Sequence, residues 1–244
     1  VNIGYGEFVI VPGVAFDLAA GGSLALVGVN GSGKSTLLKS LAGVIPLLLG
    51  DVNIIGKKPG ESPREVAYLS QFHSSGFILP LLVRDVVRMG RYAAHGLLGR
   101  FNSVDDDRID DAIRRMGIEP LANRPLGALS GGQQQRVYIA QALAKQARVY
   151  LMDEPTSGLD SAGKELYAQA MRRELECGAA LVVATHDLQE AQACSQAMLL
   201  AHKIVALGPG REVMTPQLLL ETFGIDLPLA ESVGDGVVAH WKHV

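Results

Sequence analysis

The chain lacks most of what would place a protein across a membrane, outside the cell or on a nucleic acid. Only two of its 244 residues are cysteine, Cys177 and Cys194; both lie in segments that read as helical, and their spacing suits no metal. A disulfide-framed secreted fold is excluded, and reduced thiols in a cytosolic protein are the expectation. No apolar stretch approaches the roughly 18–20 residues that cross a bilayer. The longest, such as Phe77–Val83 and Ala179–Ala184, have the length of buried strands or helix faces. Any membrane role therefore has to come through a partner. There is no excess of positive charge, the net value being −3, which argues against nucleic acid as the main partner. The chain does not begin with Met, and Val1–Val11 reads as a strand rather than a signal peptide. Internal repeats and low-complexity linkers are also missing. What remains, 48% hydrophobic and 19% charged residues, is the composition of a globular protein with a substantial core.

The segment Gly28-Val29-Asn30-Gly31-Ser32-Gly33-Lys34-Ser35-Thr36 fills every fixed position of a P-loop. A buried strand, Leu24–Val27, precedes it, and a helix beginning near Leu37 follows, the context the motif needs. Its glycines let backbone N–H groups close around phosphate oxygens, and the helix N-terminus adds a favourable dipole. Lys34 is placed to reach β- and γ-phosphates, and Ser35 to complete a Mg²⁺ shell. These residues predict binding of ATP or GTP.

The flanking chain alternates strands and helices. Val52–Gly56 and Ala67–Ser70 read as strands, residues from about 77 to 128 as helical, and Val149–Met152, Ala180–Ala184, Ala197–Leu200 and Ile204–Leu207 as strands. Continuous apolar runs of this kind belong to parallel strands covered on both faces. Asp105-Asp106-Asp107 reads as the solvated start of an amphipathic helix reaching Met116 rather than as a metal site. His240 and His243 lie in a terminal excursion from about residue 225. The expected fold is α/β: a P-loop NTPase core, with an N-terminal antiparallel β subdomain and an inserted α-helical subdomain.

Two further segments carry chemistry. The strand Val149–Met152 ends in Asp153 and Glu154, placing both carboxylates at the carboxyl edge of a buried strand, where ligands bind in such sheets. Asp153 suits the Mg²⁺ shell, and Glu154 suits a general base acting on water near the γ-phosphate. Leu129-Ser130-Gly131-Gly132-Gln133 opens a helix running to Ala144 and forms a second cradle of backbone N–H groups. One nucleotide does not need two cradles on one chain. The economical explanation is that the second caps the γ-phosphate of ATP held by another copy.

With these segments in hand, the sequence resembles the ATP-binding subunits of ABC transporters across nearly its full length. Leu129–Gln133 is similar to their signature, Gly28–Thr36 to their P-loop and Met152–Pro155 to their Walker B end. Ser157-Gly158-Leu159-Asp160 looks like the D-loop, and Ala184-Thr185-His186-Asp187 like the switch segment with its phosphate-sensing histidine. Gln71, 37 residues beyond Lys34, stands where the family has its Q-loop glutamine. Tyr5, 23 residues before Gly28, stands where the family places an aromatic against adenine.

The resemblance implies one ATPase domain over residues 1–225, with a helical subdomain inserted at about 75–140 and a C-terminal extension at 226–244. It implies a head-to-tail homodimer with two ATP molecules and Mg²⁺ at the interface. Each site would take Tyr5, Asn30, Gly31, Ser32, Gly33, Lys34, Ser35, Thr36, Gln71, Asp153, Glu154 and His186 from one protomer. The other would supply Ser130, Gly131, Gly132 and Gln133, with Asp160 communicating across. Gln71 would join Ser35 and Asp153 around the metal, and Lys34, Gln71, Glu154 and His186 would form the catalytic set.

Leu81–Tyr92 looks like the permease-docking segment of metal and metal-chelate importers, with Arg84 and Arg88 on its surface. Gln135-Arg136-Val137, Ala140–Ala144, with Gln141 in place of a more usual arginine, and Thr222-Phe223-Gly224 are similar to the zinc and manganese branch. The implied partners are integral permease subunits at the cytoplasmic face of the membrane and, indirectly, an extracytoplasmic substrate-binding protein. Siderophore, haem or cobalamin import is the neighbouring alternative. An exporter subunit and a soluble ABC ATPase stand further off.

Overall fold

The computed structural model describes residues 1–71, 81–95 and 100–224. The sequence expectations for Phe77–Pro80, His240 and His243, and the 226–244 extension lie outside the described residues.

The central sheet has six strands: β3 (Ser23–Gly28), β4 (Val66–Leu69), β5 (Val149–Asp153), β6 (Ala180–Ala184), β7 (Gln196–Leu200) and β8 (Ile204–Gly208). Their spatial order is β4-β5-β6-β3-β7-β8, and every pair is parallel except β7–β8. A separate two-stranded antiparallel sheet joins β1 (Ile3–Tyr5) to β2 (Phe8–Val11). The helices are α1 (Lys34–Leu41), α2 (Val83–Met89), α3 (Tyr92–His95), α4 (Ser103–Arg115), α5 (Gly131–Ala144), α6 (Ser161–Glu176), α7 (Leu188–Ala193), α8 (Gly210–Val213) and α9 (Pro216–Phe223).

The period-two geometry of strands divides the apolar residues between two cores. Ala25, Val27, Tyr150, Met152, Leu181, Val183, Ala197 and Leu199 face the larger core, shared with residues of α2, α4, α5 and α6. Leu24, Leu26, Leu151, Val182, Met198 and Leu200 face the smaller one, closed by Leu37, Leu38 and Leu41 of α1 and by Ile3 and Val11 of the N-terminal sheet. Leu26 is fully buried, so truncating it to Ala would cost about 2–5 kcal/mol.

Four sequence expectations need correction. Ile204–Leu207 reads as a parallel strand, yet β8 is antiparallel to β7 and only partly covered. Only residues 201–203 separate the two, closed by the Ala201 N–H on the Lys203 carbonyl at 3.0 Å; a parallel pairing needs a crossover of a dozen residues or more. Val52–Gly56 is not a strand, because Ile55 and Gly56 turn the chain at φ 53° and 79° and bring Ile54 and Lys57 into mutual backbone bonds at 2.7 and 3.1 Å. Val1–Val11 is a hairpin, turning at Gly6 with φ 58°. The fourth concerns Asp105; Cys177 and Cys194, by contrast, sit at the C-terminal caps of α6 and α7 with free thiols.

Asp105 departs furthest from expectation. The cap of α4 is Asn102, one turn earlier, in a capping box with Asp105. Asp105 is almost wholly buried, and its Oδ1 lies 2.9 Å from both Arg91 Nε and His95 Nε2. Burial pushes its carboxyl up, but bonds from His95, the Asn102 N–H and Arg91 outweigh that and hold it well below the usual carboxylate range. Arg91 also donates to the carbonyls of Ala144 and Lys145 at 3.1 and 3.2 Å, closing the C-terminus of α5. At Gly90 the backbones of α2 and α5 meet: a Cβ there would lie 2.1 Å from the Gln141 carbonyl oxygen.

Candidate nucleotide site

Gly28, at the carboxyl end of β3, leads directly into the loop. A Cβ on Gly28 would fall 2.1 Å from the Leu200 oxygen, so no other residue leaves the strand this way. Gly33 begins α1 at φ 106°, and a Cβ there would strike Val11 Cγ2 at 2.3 Å; the loop is laid against the end of β2. Ser32 is buried inside it. Lys34 arches back over the loop, its Nζ donating to the Gly28 and Val29 carbonyls at 2.7 and 2.9 Å. Burial lowers its pKa, and the Glu154 and Asp153 carboxylates work against that.

Register then sets the carboxylates. Asp153 pairs with Ala184, and Ala184 with Leu26, across three adjacent strands. The ladder continues one step further, with the Glu154 N–H on the Ala184 carbonyl at 2.9 Å and the Thr185 N–H on Leu26 at 3.0 Å. Glu154 and His186 therefore emerge side by side. Glu154 Oε2 accepts from Gln71 Nε2 at 3.1 Å and lies 3.8 Å from His186 Nδ1. Glu154 has φ 49°, a left-handed conformation costing a non-glycine residue about 1–2 kcal/mol. Asp153 is 2% exposed. Burial raises its pKa and Glu154 adds to that, against a hydrogen bond from Ser35 and the charge of Lys34.

Ser130 caps α5 in a capping box: its Oγ accepts the Gln133 N–H at 3.3 Å, and Gln133 Oε1 accepts the Ser130 N–H at 3.0 Å. A Cβ on Gly132 would come within 2.6 Å of the Gly158 oxygen, so this turn rests on the segment following Glu154. Buried Gln135 pins it there, donating to the Pro155 carbonyl at 2.9 Å. Among the described residues, no hydrogen bond or ion pair joins Ser130–Gln133 to Lys34, Asp153, Glu154 or His186. One chain thus brings together Lys34, Ser35, Gln71, Asp153, Glu154 and His186. Asn30 and Gly31 are exposed on the loop, and Thr36 is buried at the start of α1. Tyr5 stands half-exposed at the end of β1, and Asp160 caps α6 by accepting the Gly163 N–H at 2.8 Å.

Sequence reasoning passed over Gln135 as a brace and the hydroxyl–carboxylate group of Thr156, Thr185 and Glu190. The available signal for the latter was an acid one helical turn beyond His186. Arg84 and Arg88 are engaged within the insert: Arg84 pairs with Asp110 and Asp106, and Arg88 lies 4.2 Å over the Phe101 ring.

A glycine-rich loop between a central parallel strand and a helix, with two acids ending a neighbouring strand, defines a P-loop nucleotide-binding protein. Residues 11–157 match the ABC transporter family. The chain is 35% identical to the manganese transport system ATP-binding protein MntB of Bacillus subtilis, over 92% of this chain and 90% of that one. It is 36% identical to the chelated iron transport system membrane protein YfeB of Yersinia pestis, over 86% of this chain and 72% of the other. Among solved structures, it is similar to a transporter described as of metal-chelate type in an inward-facing conformation. The TM-score is 0.74 at 31% identity, covering 86% of this chain and 80% of that one. A dimeric, post-hydrolysis ATP-binding cassette bound to ADP and Pi matches with TM-score 0.73 at 25% identity, over 86% and 95% of the two chains. The chain belongs to the ABC transporter family, and it is an ATP-binding, ATP-hydrolysing subunit.

Proposed function

We propose that this subunit powers import of a divalent metal ion, manganese or zinc, through integral permease subunits to which it binds at the cytoplasmic face of the membrane. An extracytoplasmic binding protein delivers the ion. Support for the cargo comes from the relatives named for manganese transport and from the likeness to a metal-chelate type transporter. The iron-chelate relative favours a second reading, import of a chelated metal.

The observation that carries the mechanism is the presence of two anion cradles on one chain, at Gly28–Thr36 and Ser130–Gln133, with no hydrogen bond or ion pair joining them among the described residues. Two copies placed head to tail bring the Ser130–Gln133 cradle of each against the nucleotide on the other's P-loop. The Lys34 ammonium meets the β- and γ-phosphates, Tyr5 stacks on adenine, and Asp160 lies at the seam. The oxygen donors Ser35 and Asp153, close enough for the Ser35 hydroxyl to lower the Asp153 pKa, fit a hard cation such as Mg²⁺, with Gln71 as the third contributor. When bound, Mg²⁺ neutralises charge on the β- and γ-phosphate oxygens. Glu154 accepts a proton from water as its oxygen attacks the γ-phosphorus; the bond to the β–γ bridging oxygen breaks, and ADP and phosphate remain. His186 orients the γ-phosphate, so the chain's contribution is placement and electrostatics rather than covalent chemistry. Loss of the shared γ-phosphate opens the dimer.

The test is uptake of radiolabelled manganese, zinc, a ferric chelate and cobalamin by cells carrying the chain with its permease, against a Glu154→Gln control. Uptake of a divalent ion that vanishes in the control is expected. Cobalamin or chelate uptake alone would overturn the cargo assignment, and efflux would overturn the direction.

A further inference from the structure

Beside the hydrolysis site lies a partly buried carboxylate with no part in the steps above. Glu190, on α7, accepts the Thr185 hydroxyl at 2.6 Å and the Thr156 hydroxyl at 3.4 Å, both on Oε2. Tyr167 of α6, 3% exposed, sets its hydroxyl beside the same carboxylate. These two threonines are neighbours in the chain of the reacting groups: Thr185 directly precedes His186, and Thr156 follows Glu154 by two residues. On the other side of His186, the Asp187 N–H donates to Thr185 Oγ1 at 3.0 Å, and the Asp187 carboxylate pairs with Lys164 of α6 at 3.0 Å. Both chain neighbours of His186 are therefore tied down, and one of them to the same oxygen as the segment that carries Glu154.

We propose that Glu190 is a positioning residue for ATP hydrolysis: by gathering the Thr156 and Thr185 hydroxyls on one carboxylate, it sets the separation of Glu154 and His186. Hydrogen bonds from two hydroxyls meet at one oxygen of this acid, whose pKa burial raises against the lowering effect of those bonds. Their geometry is directional, so they restrain two separate segments where an apolar side chain of equal volume would only fill space. The 3.8 Å between Glu154 Oε2 and His186 Nδ1 is the distance this anchor governs. The inference rests on the reading of Glu154 and His186 as hydrolytic residues.

The test uses the full chain, measuring kcat and KM for ATP by phosphate release, with thermal unfolding alongside. Misplacing reacting groups by about 1 Å costs up to roughly 10²-fold. Glu190→Ala and Thr185→Val should each lower kcat about tenfold or more, with KM for ATP within about twofold because Lys34 and its loop are untouched. Glu190→Gln should recover most of kcat, since its amide oxygen still accepts both hydroxyls. If Glu190→Ala fails to fold, Thr185→Val, which removes only a hydroxyl, decides alone. Wild-type kcat in the variant that decides, a loss confined to KM, or a Gln variant no better than the Ala variant would overturn the proposal. His186→Ala separates the two levels. If it turns over ATP at the wild-type rate, the hydrolytic reading and this inference fall together; if it is slow while Glu190→Ala is not, only this inference falls.

Discussion

Replacing Glu154 with Gln changes charge while keeping shape. Gln71 Nε2, 3.1 Å from Glu154 Oε2, can still donate to the amide oxygen, and the φ of 49° is no worse for Gln than for Glu. The loop around Lys34 is unaltered. What disappears is the proton acceptor, and loss of a general base costs about 10²–10⁴ in rate, or about 2.7–5.5 kcal/mol in the barrier. Binding should move the other way. Glu154 and Asp153 both act on the Lys34 ammonium, so they also face any phosphate that reaches it; removing one negative charge relieves repulsion. The variant should therefore bind ATP as tightly as the parent or more so, hydrolyse it at least about 10²-fold more slowly, and accumulate as an ATP-held dimer. Single-turnover phosphate release, titration with a fluorescent ATP analogue and light scattering with and without ATP would read these three effects. A hydrolysis rate within about threefold of the parent, with only monomer in solution, would refute the assignment of Glu154 as base.

Lys34→Ala should abolish ATP binding, whereas Ser130→Arg should bind ATP and fail to hydrolyse it. In mixed dimers, residual hydrolysis should be higher with the two defects on separate chains than with both on one chain, and equal rates would defeat the shared site. Asp105→Asn should destabilise the chain by about 3 kcal/mol at pH 7, the scale for breaking a buried pair, read by urea unfolding. Because the folded-state carboxyl titrates below its unfolded value, near 3.9, that deficit should be full above about pH 5 and shrink as pH falls below about 4; a deficit constant with pH would contradict the charge argument. Gly90→Val should separate α2 from α5, lowering the unfolding temperature while leaving ATP affinity within about twofold, and an unchanged unfolding temperature would refute the close approach at that glycine.

The nucleotide loop and the acids that end β5 were legible because each is a contiguous pattern whose chemistry depends on neighbours a few residues away. The sheet was legible where apolar runs were continuous, as in Leu24–Val27 and Leu181–Ala184. Apolarity alone does not encode direction, and so β8 was misread: the length of the link after Leu200, not the composition of Ile204–Leu207, decides how it pairs. Asp105 looked like one of three solvated acids because its partners, Arg91 in the turn before α3 and His95 at the end of α3, are brought near only by tertiary packing. Thr156, Thr185 and Glu190 are each unremarkable residue types in their places. Their meeting at one oxygen depends on β5 and β6 ending level, which no local pattern reports.

The contact at Gly90 has a mechanical consequence. Between most helices a layer of side chains can change rotamer and take up small displacements. At Gly90 there is no such layer, since the α2 backbone rests on the Gln141 carbonyl of α5, and Arg91 clasps the carbonyls that end α5. The 14 residues of α5 form a rod of about 21 Å from that clasp to Ser130. A tilt applied to α2 has little slack to be lost in, and the far end of the rod carries the turn that the partner's γ-phosphate would meet.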